Sequence, residues 1–456
     1  MKLYKGRIPE SPAPLMNAIN RSLPVDIRLW PYDLMTNHAW ASALTEVGVF
    51  SVEECSQVQR ILEELAQLEP ADFNPLPEDE DVHTLVERLL TERLGDTGAR
   101  IHTGRSRNDQ VVCDLRLFAR DKLDDLQHLV KTAILLISDQ ARVHKDTLMA
   151  GTTHLQPALP VSLGHFLLSA CFALLRDLDR LKDARRRTNL CPLGSGAMAG
   201  SGFAVDRHRL AKDLGFDAPL LNSIDAVSDR DFCAEIAFAC SQIAVHLSRY
   251  AEQFIFWANP AFGYVRFADA WSTGSSMMPQ KRNPDAMELI RGKTARVIAA
   301  CTQLLTVMKG LPLTYAKDLQ EDKLPLFEAL DTTCLMVEVF GQAVSTAVFQ
   351  KQNLARGLSP DMLATDLADV LARAGVPFRK AHERVGLLVS TLETGGRTLK
   401  MLSAKDFQKL FPELQNALPD LSYVASLSQR NVLGGTAPPR VEEQLELLVE
   451  LLKAKT

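Results

Sequence analysis

Apolar residues recur with helical spacing over five long stretches in the middle of the chain. They span residues 111–137, 163–181, 233–254, 290–308 and 330–348. Their steps of three and four alternate, as they do along the seam of a helix bundle. The pattern therefore predicts an all-α protein whose central domain, residues 111–356, is a bundle of five long helices.

The segments on either side of this bundle have shorter patterns. Residues 1–110 are interrupted by Pro70, Pro75 and Pro77, which is typical of a linker or a domain edge. After Gly357, Ser359 has the position of an N-cap that opens a further helical unit. We therefore expect an N-terminal helical domain over residues 1–110 and a small C-terminal helical domain over residues 357–456.

Several of the long helices carry apolar residues on more than one face. Such a helix usually buries its second face against another subunit, so a homo-oligomer is favoured. The alternative is one large monomeric bundle.

Composition excludes several classes of protein. The 456 residues include 51 basic and 56 acidic ones, giving a net charge of −5, and no basic stretch suits nucleic acid. No signal peptide and no uncharged apolar run of membrane-spanning length is evident. The eight cysteines form no CxxC pair, which favours reduced thiols over disulfides or a zinc site. The sequence thus predicts a soluble cytoplasmic protein that binds neither nucleic acid nor membranes.

Residues 272–285, STGSSMMPQKRNPD, concentrate the groups that proton abstraction needs. Ser275 supplies a hydroxyl and Lys281 a mobile positive charge, while Asn283 and Pro284 have the order of an N-cap and a first helical residue. The positive end of the following helix would then face this loop. A serine can act as a base only where donors and charges stabilise its alkoxide, and this loop provides both.

Three other polar segments are candidates for the same site. HTGRSRNDQ at 102–110 offers carboxylate-binding groups, GTTHLQ at 151–156 places a threonine beside a histidine ahead of a helix, and TYAKDLQEDK at 314–323 carries a phenol, amines and an amide. A fourth segment, GSGAMAG at 194–200, has GxGxxxG spacing and no preceding strand pattern. It therefore predicts a tight turn rather than a nucleotide loop.

The motif GSSMMPQKRNP resembles the signature loop of the fumarase/aspartase superfamily. Further segments resemble the argininosuccinate lyase family over nearly the whole chain, namely YKGRI, NRSLPVD, EDEDVHTLVE, LNSIDAVSDRDF and LSPDMLATDLA. The resemblance implies an all-helical homotetramer with a twenty-helix core, active sites shared between subunits, and no cofactor or metal. It also implies the reversible elimination of argininosuccinate to arginine and fumarate in arginine biosynthesis.

The family pattern further implies roles for particular residues. Ser275 would remove the Cβ proton, Lys281 and Asn283 would stabilise the aci-carboxylate, and Thr153 and His154 would lie near the leaving group. Glu288 would orient His154, and the proton donor stays open. The remaining residues would bind the succinyl carboxylates or the amino-acid portion: Ser22, Ser106, Arg107, Asn108, Tyr315, Gln320 and Lys323.

Four residues depart from the family pattern: Thr152, Pro157, Leu159 and Ala316. They leave every proposed proton-transfer group in place but bear on leaving-group specificity. Two alternatives therefore stand beside the main hypothesis. One is a paralogous lyase that releases fumarate from another N-substituted aspartate, of the ethylenediamine disuccinate type, and the other is a crystallin-like structural tetramer.

Overall fold

The computed structural model describes residues 12–69, 72–414 and 420–454, which are mainly helical. Pro70 and the YKGRI motif lie outside the described residues. The helices are α1 Pro14–Asn20, α2 Leu23–Asp26, α3 Trp30–Glu46, α4 Val52–Leu65, α5 Val82–Leu94, α6 Asp96–Ala99, α7 Arg107–Val143, α8 Leu163–Thr188, α9 Arg207–Asp213, α10 Ser223–Ser228, α11 Asp231–Ala258, α12 Asp285–Met308, α13 Lys323–Ser345, α14 Lys351–Arg356, α15 Ala364–Arg373, α16 Phe378–Thr394, α17 Ala404–Leu410, α18 Tyr423–Gln429 and α19 Pro438–Ala454.

The five predicted long helices are confirmed as α7, α8, α11, α12 and α13, each of 23 residues or more. Their buried positions repeat at helical spacing because each helix covers apolar neighbours along its length. Gly341 of α13 shows how close this packing is, since an added Cβ would lie 3.0 Å from Cα of Ala133 in α7. Val348, expected at the end of the last pattern, instead lies after α13 in a two-residue strand.

Strands are few among the described residues. β1 (Leu148–Thr153) and β2 (Gln156–Ser162) form an antiparallel hairpin. Leu190–Cys191 pairs in parallel with Ala218–Pro219, and Val265–Arg266 pairs antiparallel with Val348–Phe349. The eight cysteines are free thiols, as the sequence indicated.

Contacts group the chain into two compact units. Unit 1 comprises residues 1–128, 178–243 and 294–334, and unit 2 comprises residues 129–177, 244–293 and 335–456. The division into domains 1–110, 111–356 and 357–456 stays a prediction. Ser359 does act as an N-cap, since its Oγ accepts the N–H of Asp361 at the start of a short 3₁₀ turn before α15. No helix of the described residues is long and apolar enough to cross a membrane.

Candidate active site

A cavity of about 140 Å³ in unit 1 collects most of the predicted substrate-binding residues. Its wall includes Ser22, the start of α7 and the 3₁₀ turn Lys317–Asp322 ahead of α13. The predicted residues that line it are Ser22, Arg107, Asn108, Tyr315, Gln320 and Lys323. The structure therefore brings together six of the seven residues predicted to bind the carboxylates or the amino-acid portion, and their individual roles stay predictions.

One side of this cavity is positively charged. Lys323 is buried, and its Nζ lies 3.0 Å from Oδ1 of Asp322, whose other oxygen pairs with the buried Arg230. Burial would lower the pKa of Lys323, but Asp322 outweighs it and raises that pKa. Two cations thus share one carboxylate, which leaves a net positive charge beside the cavity that can attract an anion.

The cavity lining also includes carboxylates to which the sequence had assigned no role. Asp26, Glu80 and Asp81 all line the cavity, and Nε of Arg107 lies 3.6 Å from Oδ2 of Asp81. Burial would raise the pKa of Asp81, but Arg107 and other neighbours lower it to about 2. All three carboxylates lie in the family-like segments NRSLPVD and EDEDVHTLVE. The sequence therefore contained a signal for them, although these segments had no assigned role. The cavity is therefore of mixed charge and suits a ligand with both anionic and cationic groups.

A buried ionic cluster of Asp33, His83 and Asp114 lies against this cavity through His83. Nδ1 of His83 is 2.8 Å from Asp33 Oδ1 and 3.1 Å from Asp114 Oδ2. Burial would lower the pKa of His83, but these carboxylates raise it to about 10. Burial, with the charge of Asp33, raises the pKa of Asp114 to about 7. Nε2 of His83 has no hydrogen-bond partner in the described chain.

The same three residues form the one described group whose oxygen and nitrogen atoms, all within 4.8 Å, could hold a metal ion. However, Asn37 and Gln110 already donate to Asp33, and Thr36 donates to Asp114. Protonated His83 occupies the position between the carboxylates that a cation would need. These contacts fit a structural ion cluster better than a metal site.

Ser106 differs from its predicted role as a free carboxylate ligand. Its Oγ accepts the N–H of Asn108 at 3.2 Å, and its own N–H donates to Asp109 Oδ1 at 3.1 Å. Ser106 thus caps α7 through the N–H of the second helical residue, and the carboxylate of the third residue, Asp109, binds the N–H of Ser106 in return. The Ser106 hydroxyl therefore first satisfies the helix end, and it does not line the cavity.

In unit 2, Thr153 and His154 lie at the tip of the β1–β2 hairpin. Thr153 pairs with Gln156, and His154 and Leu155 form the two-residue turn with φ of 53° and 61°. These angles match a type I′ turn, which follows the twist of the strands. Both side chains of the predicted pair are exposed. The segment precedes α8, as expected. Strand β2 lies between the two, because the segment forms a hairpin that the sequence pattern did not predict.

The hairpin also brings three of the departures from the family pattern together. Thr152 is opposite Pro157, and Leu159 is opposite Gly151, with an irregularity in register between Gly151 and Thr152. The proline fits there because a two-stranded hairpin has edges that need no ladder N–H. The three changes are therefore neighbours in one small element.

The Ser275 loop directs two backbone N–H groups at the serine oxygen. Oγ of Ser275 accepts the N–H groups of Met277 and Met278 at 3.2 and 3.1 Å. Two N–H groups aimed at one hydroxyl oxygen favour its ionised form. The neighbouring Ser276, Met277 and Lys281 are exposed.

The loop closes on itself through Thr273 and the start of α12. Thr273 forms an isolated bridge with Asn283, and Asp285 Oδ2 accepts from both the N–H and the hydroxyl of Thr273. α12 begins at Asp285, so Pro284 rather than Asn283 precedes the first helical residue. The predicted N-cap is thus one residue too early.

Glu288 and His154 are both exposed side chains of unit 2. Within the described part of one chain, neither side chain has a hydrogen-bond or ion-pair partner. The proposed orientation of His154 by Glu288 therefore stays a prediction. The unit 2 candidates Thr153, His154, Ser275, Lys281, Asn283 and Glu288 do not form a bonded cluster like that of unit 1.

Comparison with family models gives two matches. The model described as Lyase matches residues 6–299, and the model described as Argininosuccinate lyase C-terminal matches residues 361–428.

Among individual relatives, the chain is 46% identical over 446 residues to the argininosuccinate lyase of Chloroflexus aurantiacus, covering 97% of each. It is 42% identical to the probable argininosuccinate lyase of Schizosaccharomyces pombe, covering 99% of each. Among solved structures, an EDDS lyase variant with bound fumarate superposes with a TM-score of 0.83 at 27% identity, covering 98% of this chain and 91% of that one. A class II fumarase from Schistosoma mansoni, at 15% identity and a TM-score of 0.72, covers 90% of this chain and 94% of its own and shares the fold.

Proposed function

Since the chain belongs to the argininosuccinate lyase family, we propose that it cleaves argininosuccinate reversibly to arginine and fumarate. The enzyme is a carbon–nitrogen lyase of the fumarase/aspartase superfamily. Its reaction would serve arginine biosynthesis in the cytoplasm. The eight free cysteines support that compartment, because thiols persist where the environment is reducing.

The observation that carries this proposal is the mixed charge of the unit 1 cavity. Argininosuccinate has three carboxylates, an amino group and a guanidinium, so it needs cations and anions in one site. The cations in the cavity lining are Arg107, Lys317 and Lys323, and the anions are Asp26, Glu80 and Asp81. A site for fumarate alone would not need the acidic wall.

The unit 2 residues supply the chemistry of elimination. Ser275, as the alkoxide, takes the Cβ proton, the electron pair of that C–H bond forms the double bond of fumarate, and the C–N bond breaks. Lys281 and Asn283 stabilise the negative charge on the neighbouring carboxylate, and Thr153 and His154 lie near the departing nitrogen, which takes up a proton. The two backbone N–H groups on Ser275 Oγ support its role as the base.

The direct test is release of fumarate, followed by its ultraviolet absorbance, from argininosuccinate and from ethylenediamine disuccinate. We expect argininosuccinate to be the better substrate, because identity is higher to argininosuccinate lyases than to the EDDS lyase. Preference for the second substrate would favour the paralogous lyase. No release from either would favour the structural, crystallin-like protein.

We also propose a homotetramer with shared active sites. The exposed apolar side chains of the long helices support it, because such rows on a stable helix usually meet another subunit. On α12 these are Leu289, Ile298 and Leu305, and on α11 Phe238 is 52% exposed. The side chains of His154 and Glu288 have no bonded partner among the described residues of one chain, which supports it as well.

Complementation tests whether subunits share sites. Inactive His154→Ala and Ser275→Ala oligomers are mixed under conditions that exchange subunits. We expect part of the wild-type activity to return, because some sites then contain both wild-type residues. If labelled subunits exchange and activity stays at the level of the parents, each site belongs to one chain.

A further inference from the structure

The glycine-rich segment Gly194–Gly200 has no part in the proposed chemistry, yet unit 1 fastens it to the start of α7. The N–H groups of Gly194 and Gly196 donate to Oδ2 of Asp109 at 3.0 and 2.8 Å. Nδ2 of Asn108 donates to the carbonyl of Ala197 at 3.1 Å. The loop is thus bonded to two consecutive residues of the first turn of α7.

Asp109 uses its other oxygen for the helix itself. Oδ1 accepts the N–H of Ser106, the N-cap residue of α7. Asp109 is completely buried. One carboxylate therefore holds both the beginning of α7 and the glycine-rich loop, and it cannot contact a ligand in the cavity.

The loop conformation depends on its glycines. Gly194 and Gly196 have φ of +84° and +60°, and a Cβ on Gly196 would lie 2.5 Å from the carbonyl oxygen of Gly200. Only this tight turn aims both N–H groups at Asp109. On its other side, Arg207 holds the loop through the carbonyl of Leu193 and the hydroxyl of Ser195.

We propose that Asp109 is a positioning residue, which holds in place the side chains that bind the substrate carboxylates. This proposal rests on the proposed function. Asp109 acts through Arg107 and Asn108, which line the cavity and directly precede Asp109 in sequence. The bond from Ser106 N–H to Asp109 fixes the backbone next to Arg107, and the loop fixes the amide of Asn108 through Ala197. Asp109 thereby sets the geometry of binding and leaves the Ser275 chemistry untouched.

The substitution Asp109→Asn tests this role without changing the size of the side chain. An amide of the same size has one acceptor oxygen, so it cannot accept on both sides from Ser106 and from the two glycines. At least one buried N–H is left unpaired, at a cost that corresponds to roughly a five- to hundredfold change in an equilibrium. Either the cap or the loop must loosen.

We expect Asp109→Asn to raise KM for argininosuccinate, and the dissociation constant of fumarate measured by calorimetry, by about tenfold or more, with kcat changed much less. Asp366→Asn is the matched control. Asp366 is another buried carboxylate, bound to Arg430 in unit 2. Its loss should cost stability and leave both binding constants near the wild-type values.

A pH profile provides a second measurement. Burial raises the pKa of Asp109 to about 6, against the opposing charge of Arg105 and the loop N–H groups. Arg207 and the thiol of Cys191 also act on this carboxylate. Protonation removes an acceptor, so KM of the wild type should rise as pH falls below about 6. In Asp109→Asn, KM should be high and flat over that range.

Gly196→Ala disrupts the contact with Asp109 from the loop side and should likewise raise KM with little change in kcat. This variant tests the proposal even if Asp109→Asn does not assemble. Fumarate binding within about twofold of wild type in either assembled variant would overturn the proposal. So would a fall in kcat with unchanged KM. Failure of the wild type to cleave argininosuccinate would instead refute the proposed function, and fumarate titration would still decide the role of Asp109.

Discussion

The two groups of candidate residues differ in how completely one chain prepares them. In unit 1, Lys323, Arg107 and His83 are held by ion pairs with buried or half-buried carboxylates, around a formed cavity. In unit 2, His154 lies on an exposed hairpin turn and Lys281 on an exposed loop. On the proposed roles, one folded chain preorganises the binding groups, and the proposed proton-transfer groups would gain fixed partners from a substrate or another subunit.

This contrast has an energetic reason. Buried charges must be paired, because an unpaired ion away from water is costly, so the unit 1 side chains have little freedom. Exposed groups lose nothing by remaining unpaired in water. They gain fixed partners only when water is removed, which closure of a site would achieve.

The sharpest test of the contrast removes Ser275, the proposed base in unit 2. Ser275→Ala should lower kcat by about 10²–10⁴-fold, the usual contribution of a positioned proton-transfer group, with fumarate binding retained. Stopped assays of fumarate formation and calorimetry with fumarate measure the two quantities. Ser276→Ala, at the next residue, should lose much less. A larger loss in that variant would transfer the role of base to Ser276.

The second test breaks the buried cluster of unit 1. His83→Gln leaves Asp33 and Asp114 facing each other without their cation, so the free energy of unfolding at neutral pH should fall by about 3–5 kcal/mol. Denaturant unfolding followed by circular dichroism measures this loss. His246→Gln is the control, since His246 pairs with the single carboxylate of Asp177 and is more exposed. Its loss should be smaller.

The same cluster predicts a pH dependence. The folded pKa of His83 is raised from 6.5 to about 10, so its stabilising contribution is complete below pH 6.5 and disappears as pH rises through about 10. The wild type should therefore lose stability over this window, and His83→Gln should lack that part of the slope. If the stability of the two proteins changes in parallel with pH, His83 is not the cause of the pH dependence.

The smallest expected effect concerns the departure at Ala316. This residue precedes the 3₁₀ turn Lys317–Asp322 with an extended backbone and provides no side-chain cap. Ala316→Asn, which restores the family residue, should add a capping oxygen and stabilise the fold by about 0.5–2 kcal/mol. Thermal unfolding measures it, and Ala316→Val is a control without a cap. Equal unfolding temperatures would show that the turn needs no cap here.

The sequence by itself determined the helical architecture and pointed to most of the residues that line the unit 1 cavity. Long apolar periodicities specify helices directly, because burial repeats with the turn of the helix. Resemblance to the family singled out the polar segments of 102–110 and 314–323, because taken alone the first would fit a capping loop and the second a solvated surface. Motif resemblance then supplied the chemistry expected of Ser275 and His154.

Only the tertiary structure decided how these residues are used. The hairpin at Thr153 was missed because its turn residues, His154 and Leu155, are not the usual glycine or asparagine. Asp26 and Asp81 enter the cavity from segments far from Arg107 in sequence, and no local pattern encodes that meeting. In the sequence, Asp109 is one polar residue among several in its segment. Its hydrogen bonds with Gly194 and Gly196 exist only because the fold brings these distant N–H groups to its carboxylate. Such contacts are set by packing between elements, whereas the helices themselves are set by local spacing.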